Sequence, residues 1–143
     1  MKLPDPQSSP FSALISDIEK GLIKIPQFQR DFVWDLTKSA NLMDSIVKGY
    51  PIGTFIFWKT KERLRSIRNI GGVELPEPIA GDFVYFVLDG QQRLTSLFAS
   101  LKGITIQREN GNEDDYSKMY LDLEASEDEQ IVILDIENRN SKS

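Results

Sequence analysis

The residues with the clearest chemical potential lie in the stretch "VLDGQQRLTSLF", residues 87–98. An apolar run ends at Asp89 and Gly90, two glutamines and Arg93 follow, and a helical pattern then begins. This order predicts a strand, a tight turn and a helix. Free backbone N–H groups and the positive end of the helix dipole converge at such a turn and can bind an anion. A cation such as Arg93 is unfavourable there by up to about 1 kcal/mol, so we expect a negative group beside it.

Each polar residue of this turn suits a phosphate site. Gly90 lets the backbone approach a phosphate without a Cβ in the way, and Arg93 can donate to two phosphate oxygens at once. Gln91 and Gln92 can orient a water or bind a ribose hydroxyl. A structural alternative stays open, because Asp89 and Gln92 are spaced like the two members of a helix capping box. The chain contains neither GxxxxGK[ST] nor GxGxxG, so a nucleotide site here would be of another kind.

A second polar cluster lies in "IPQFQRDFVW", residues 25–34, where Gln29, Arg30 and Asp31 stand among large apolar residues. We expect these apolar neighbours in the core: Phe28, Phe32, Val33 and Trp34. A surface ion pair between Arg30 and Asp31 or a helix residue is the commoner arrangement for such charges. The functional alternative is a second pocket wall, with Arg30 facing Arg93 across an anion.

Composition excludes several classes of chemistry. The 143 residues include no cysteine and no histidine, which rules out disulfides, thiolate metal sites, Ser-His-Asp catalysis and His-ligated zinc in this chain. Any general base must be a carboxylate, or the chemistry must rest on positioning and electrostatics. No apolar stretch approaches the ~20 residues of a membrane span, and residues 1–10 lack the apolar core of a signal peptide. We therefore expect a cytoplasmic protein without membrane contact.

The charge distribution is uneven. The net charge is −5, and the acidic excess is concentrated in residues 109–143. Residues 59–68, "KTKERLRSIR", are instead strongly basic, with a single glutamate among five cations. Because no aromatic residue interleaves these charges along the chain, a solvated loop is favoured over a nucleic-acid contact.

The elements that must position these residues follow from hydrophobic periodicity and turn signals. Apolar stripes predict helices from residue 11 to Gly21, after Asp35 and after Gly90. Strands are predicted around residues 22–25, 50–58, 83–88 and 131–136, with a hairpin around the acidic loop near residue 112. The connection 60–81 is long for a compact domain. Residues 1–10 are predicted to be a flexible terminus, and residues 11–143 a single domain that forms the N-terminal part of a longer protein.

These two clusters together resemble a known family. "IPQFQRDFVW", a helix carrying Asp44-Ser45-Ile46, Gly49, Pro51 and a strand, and then "DGQQR" resemble in order the N-terminal domain of GmrSD-type, modification-dependent restriction proteins. That domain belongs to the ParB/sulfiredoxin-like superfamily. The resemblance covers about residues 11–103. It implies an α+β fold in which helices pack around a small mixed sheet.

The resemblance also implies a function and its residues. We expect a regulatory domain of an anti-phage restriction system that binds and hydrolyses a nucleoside triphosphate (NTP) with Mg²⁺. Asp89, Gln91, Gln92 and Arg93 would be catalytic, and Asp89 would act on the metal. Binding of the NTP would fall to this set: Gln29, Arg30, Gly90, Gln91 and Arg93.

Several properties of the intact system follow from the same resemblance. A separate C-terminal nuclease domain would cleave DNA, so nuclease activity is not expected in this histidine-free chain. DNA contact through the full-length protein and oligomerisation stay open. The alternative function is a DNA-binding or modified-base-sensing module without NTP hydrolysis.

Overall fold

The computed structural model describes residues 10–27, 29–63 and 67–134. Several predictions fall outside these residues: positions 1–9 of the predicted flexible terminus, the core position of Phe28, part of the basic segment and the end of the last predicted strand. Within them the chain forms three α-helices and small sheets of mixed direction. The predicted α+β class is confirmed, and the ParB-like topology stays a prediction.

The helices lie close to their predicted positions. They are α1 (Phe11–Glu19), α2 (Leu36–Val47) and α3 (Gln91–Lys102). The Asp35 carboxylate accepts a hydrogen bond of 2.8 Å from the Lys38 N–H and so caps α2 as expected. Gly103 ends α3 in the left-handed conformation.

A four-stranded sheet forms the centre of the domain. Its strands are β1 (Ile23–Pro26), β2 (Ile56–Thr60), β3 (Ile67–Arg68) and β4 (Val84–Asp89), in the order β2-β4-β1-β3. Strand β1 runs parallel to β4 and antiparallel to β3. Ile23 and Lys24 pair with β4, whereas Ile25 and Pro26 pair with β3. No residue of β1 needs hydrogen bonds on both sides, which suits a strand that ends in proline.

Two hairpin-like pairs follow α3. The first joins β5 (Thr105–Gln107) to β6 (Glu113–Asp115), as predicted, and the second joins β7 (Tyr120–Leu121) to β8 (Val132–Ile133). The Asp44 carboxylate of α2 accepts hydrogen bonds from the N–H groups of Ile131 (2.7 Å) and Val132 (3.0 Å). This carboxylate therefore attaches the second pair to α2.

The core differs from the predicted apolar stripes in its helices. Leu94, Leu97 and Phe98 of α3 are buried together with Val87 and Ile25, but Leu101, which lies on the same apolar stripe of the sequence, is 51% exposed. In α2, Val47 lies on the apolar stripe and is exposed, whereas the polar residues Ser39 and Asp44 are buried. Their hydrogen bonds offset the cost of burying them. Ser39 Oγ lies 2.8 Å from Ser96 Oγ and 3.3 Å from the hydroxyl of buried Tyr116.

The predicted strand 50–58 begins later, at Ile56. The segment before it is irregular, with Gly53 at a φ of 95°. The carbonyl oxygens of Ile52 and Thr54 accept hydrogen bonds from Arg93 instead of from a neighbouring strand. This use of the backbone explains why the strand prediction started too early.

Candidate functional site

The turn between β4 and α3 has the predicted position and a different cap. Residue Gly90, not Asp89, is the N-cap of α3, with a φ of 93°, and no side chain caps the helix within the described part of the chain. The capping-box interpretation of Asp89 and Gln92 is therefore wrong. A Cβ on Gly90 would lie 2.6 Å from the Phe55 ring, so both the backbone angle and the packing require glycine here.

The hydrogen-bond partners of Arg93 explain how a cation is accommodated at the N-terminus of α3. Its Nη1 donates to the Ile52 carbonyl at 2.7 Å and its Nη2 to the Thr54 carbonyl at 2.8 Å. The guanidinium carbon lies 5.0 Å from the centre of the Phe55 ring. The carboxylate of Asp89 is 3.9 Å away and 63% exposed. Backbone carbonyls, more than a carboxylate, supply the expected negative partner.

The two glutamines join the turn to the second polar cluster. The Gln92 side-chain oxygen accepts from the N–H groups of Val33 (2.9 Å) and Trp34 (3.4 Å), and its Nε2 donates to the Asp31 carbonyl at 2.8 Å. The Gln91 Nε2 donates to the Arg30 carbonyl at 2.8 Å. Both glutamines are 7% exposed. The two motifs therefore lie side by side and share direct hydrogen bonds.

Gln29 and Arg30 lie beside the turn and line the same cleft. The Gln29 Nε2 donates to the carbonyl oxygens of Val87 (3.4 Å) and Leu88 (3.2 Å) on β4. The Arg30 side chain is exposed and has no ion-pair partner among residues 10–27, 29–63 and 67–134. The surface ion pair that residue statistics favoured for Arg30 is not observed there.

The turn and the second polar cluster together border an open cleft of about 480 Å³. Its lining unites the two sequence motifs: Gln29, Arg30, Trp34, Leu88, Asp89, Gly90, Gln91, Gln92 and Arg93. Every predicted site residue thus borders the same space, and the volume is within the range of about 300–1,000 Å³ typical of ligand pockets. The catalytic and binding roles assigned to these residues stay predictions.

Trp34 is the cleft residue that sequence reasoning placed in the core. The half-buried side chain lines the cleft, and Lys38 Nζ lies 4.7 Å from the centre of one of its rings. Val33 is 59% exposed, so its core assignment is wrong, whereas half-buried Phe32 packs against Tyr116. The missed signal was position: Trp34 is the last residue before the cap of α2, where a side chain can turn outward.

Arg108 is a second residue that the sequence analysis did not single out. Its guanidinium donates to the Phe32 carbonyl (3.1 Å) and the Trp34 carbonyl (2.8 Å), and it pairs with Asp114 at 2.7 Å. Its Nη2 also lies 3.2 Å from the Tyr116 hydroxyl. Burial raises the pKa of Tyr116, so that hydroxyl stays neutral. Gln92 and Arg108 hold the Trp34 segment from two sides.

The basic segment has aromatic neighbours that the linear sequence hides. Lys59 Nζ lies 4.6 Å from the Phe83 ring centre and 5.9 Å from that of Tyr85, and Lys61 Nζ lies 5.0 Å from Phe83. Thr60 pairs with Val84, whereas Ile56 pairs with Asp89. The lysines therefore stand at the end of the sheet opposite the cleft.

The described residues contain neither a cluster of metal ligands nor a helix suited to span a membrane. No group of three or more acidic side chains there could hold a metal ion by itself. Asp89 is the only carboxylate-bearing residue of the described cleft lining. None of the described helices has the length and apolar character needed to cross a bilayer.

Comparison with known proteins agrees with the two motifs. The chain is 35% identical over 92 residues to uncharacterized protein MJ0686 of Methanocaldococcus jannaschii, an alignment that spans 62% of this chain and 16% of that protein. No solved structure gives a significant match. The model of the GmrSD restriction endonuclease N-terminal domain matches residues 11–143. The chain therefore belongs to the family of GmrSD restriction endonuclease N-terminal domains.

Proposed function

We propose that this domain binds and hydrolyses a nucleoside triphosphate in the cleft and so regulates the restriction system of which its family is part. The observation that carries the proposal is that two features border one space: the Arg30 guanidinium, which has no ion-pair partner among the described residues, and the N-terminus of α3, which no described side chain caps. Both features favour a polyanion, the first by charge-assisted hydrogen bonds and the second by free N–H groups and the helix dipole.

The existing hydrogen bonds suggest different roles for the residues of the cleft. Arg93 and Gln92 already form hydrogen bonds to backbone groups of neighbouring loops, so their proposed role is to hold the shape of the cleft. Arg30 is available for a phosphate. The Gln91 Nε2 is occupied, but its Oε1 accepts no hydrogen bond from the described residues, so this oxygen is the better choice to orient a water.

In the proposed reaction the oriented water oxygen forms a bond to the terminal phosphorus. The bond from that phosphorus to the bridging oxygen breaks, and the nucleoside diphosphate leaves. The proton of the water passes to solvent or to a phosphate oxygen. Such reactions rest on positioning and electrostatic stabilisation, which suits a chain without histidine. Mg²⁺ binds through one or two carboxylates together with phosphates, and exposed Asp89 could supply that carboxylate and neutralise charge through the ion.

Calorimetric titration tests binding. Each of the four NTPs with Mg²⁺ is titrated into wild type, Arg30→Ala and the distant control Lys59→Ser. Loss of hydrogen bonds from one guanidinium to a phosphate corresponds to a fall in affinity of about 10- to 150-fold. We expect that fall for Arg30→Ala and unchanged affinity for Lys59→Ser. Absence of binding in wild type would remove the proposal, and equal affinities of wild type and Arg30→Ala would remove Arg30 from the site.

Phosphate release tests turnover separately. The Gln91→Leu variant is expected to lower the rate of phosphate release more than it lowers NTP affinity, because its role is to orient water. Unchanged release would exclude Gln91 from that role.

A DNA-binding module is the second candidate, favoured by the lysine and aromatic cluster at the other end of the sheet. It predicts affinity that falls steeply with salt and that depends on Lys59 and Lys61 instead of Arg30. Edge strands often carry lysines that prevent aggregation, and β2 is an edge of the described sheet. A filter-binding assay with a Lys59→Ser, Lys61→Ser variant distinguishes DNA binding from protection of the edge strand. Loss of DNA retention in the variant would support DNA binding, and unchanged retention would count against it.

A further inference from the structure

We infer that Trp34 forms the nucleobase subsite of this cleft, so that its ligand is a nucleotide with a stacked base and not an inorganic polyphosphate. The inference rests on the proposed NTP site and adds a residue and a ligand moiety to it. Trp34 is the only aromatic residue among the described cleft-lining residues, and it shares the space with Arg30 and the α3 turn.

The Trp34 backbone is fixed on both sides. Its N–H donates to Gln92 at 3.4 Å, and its carbonyl accepts from Arg108 at 2.8 Å. The preceding N–H, of Val33, also donates to Gln92, at 2.9 Å. Asp35 follows directly as the cap of α2. A backbone that is held in place before the ligand arrives limits the positions that the indole can take, so less conformational freedom is lost on binding, which favours affinity.

The surroundings of the indole suit a planar aromatic ligand. Lys38 lies over one face, so a base would stack on the other. Arg30 and the N-terminus of α3 provide positive charge in the same cleft, where the phosphates would bind. Aromatic stacking tolerates any base, because every base has a π face. Trp34 would therefore supply affinity for the nucleoside without strong selection among bases.

A comparison of two ligands tests this subsite. Wild type, Trp34→Leu and Trp34→Phe are titrated by calorimetry with ATP and with inorganic tripolyphosphate, both with Mg²⁺. Loss of one stacked base corresponds to about a 5- to 150-fold weaker affinity. We expect that loss for ATP with Trp34→Leu, a much smaller loss with Trp34→Phe, and tripolyphosphate affinity that stays the same in all three proteins.

Fluorescence gives an independent readout. The chain contains two tryptophans, so Trp58→Phe leaves Trp34 as the only indole, and Trp58 is absent from the cleft lining. ATP should quench the emission of this variant in a saturable way, and tripolyphosphate should leave it nearly unchanged. If the Trp34 variants differ from wild type in thermal stability, their affinities are hard to compare. The fluorescence of the Trp58→Phe protein, which keeps Trp34, then provides the test.

The outcomes separate the subsite from the site. If Trp34→Leu binds ATP as tightly as wild type while Arg30→Ala does not, the subsite is refuted and the NTP site stands. If wild type binds ATP and tripolyphosphate equally well, the base makes no contribution and the subsite is again refuted. If wild type binds neither ligand, the proposed function fails and the subsite fails with it.

Discussion

Replacement of Arg93 by alanine should destabilise the fold itself, whatever it does to a ligand. The Arg93 side chain is 19% exposed, and its guanidinium links the turn before α3 to the irregular segment 52–54 through two carbonyl oxygens. Its loss leaves the Ile52 carbonyl, which is partly buried, without its donor. Under the proposed function, the same variant is also expected to bind an NTP more weakly, because the residues that border the cleft would be held less firmly.

The magnitude follows from the contacts. A hydrogen bond to a charged group contributes about 1.5–3 kcal/mol, and the exposed bond to Thr54 is taken at the lower end. The contact with the Phe55 ring adds about 0.5–1 kcal/mol, and the exposed Asp89 pair adds almost nothing. Removal of a cation from the helix N-terminus returns up to about 1 kcal/mol. The expected decrease in the free energy of unfolding is about 3–5 kcal/mol.

Urea unfolding followed by circular dichroism measures this change. Arg30→Ala is the matched control, because Arg30 is exposed and the same substitution there should alter stability by less than about 0.5 kcal/mol. Arg93→Lys should restore little, since one ammonium cannot reach two carbonyls with the fork geometry of a guanidinium. Equal unfolding midpoints for Arg93→Ala and Arg30→Ala would refute the reasoning.

Three further predictions concern other parts of the molecule. Gly90→Ala should lower stability by about 1–3 kcal/mol through its positive φ and its contact with Phe55, measured by thermal unfolding; Gly111→Ala shares the positive φ but its Cβ meets nothing within 4 Å, so the difference between the two variants reports the Phe55 contact. Asp44→Asn should lower the free energy of unfolding by about 2–4 kcal/mol at pH 7, and the difference in urea midpoint from wild type should shrink as pH falls below 3.8. Arg108→Ala should leave the chain folded while increasing hydrogen exchange at the amides of residues 33 and 34.

The pH dependence of Asp44 has a defined sign. Burial raises the pKa of this carboxyl, but hydrogen bonds from Lys48 and from the N–H groups of Val132 and Ile131 outweigh burial and hold the pKa below its ordinary value of 3.8. The resulting stabilisation is complete above that ordinary value and is lost as pH falls through the lowered one. A difference in the free energy of unfolding between wild type and Asp44→Asn that stays constant as pH falls would contradict this account.

The local elements of the fold could be predicted from sequence because their signals are local. The capping residue Asp35, the helix-ending Gly103 and the unbroken apolar run of β4 each act within a few residues. Errors arose where distant groups intervened. The strand before Ile56 started late because Arg93 uses its carbonyls, and Ser39 and Asp44 are buried because Ser96 and the β8 backbone satisfy them.

Residue types alone excluded imidazole and thiol chemistry, because the chain has no histidine and no cysteine, and the candidate site relies on carboxylate, amide, guanidinium and backbone groups. They also marked the two polar clusters as exceptional and identified the family. Only the tertiary structure decided that both clusters border one cleft, that Arg30 has no ion-pair partner among the described residues whereas Arg93 donates to backbone carbonyls, and that Trp34 lines the cleft. The physical reason is that hydrogen bonds such as that from Gln92 to Asp31 join residues far apart in the chain, and no local pattern encodes such pairings.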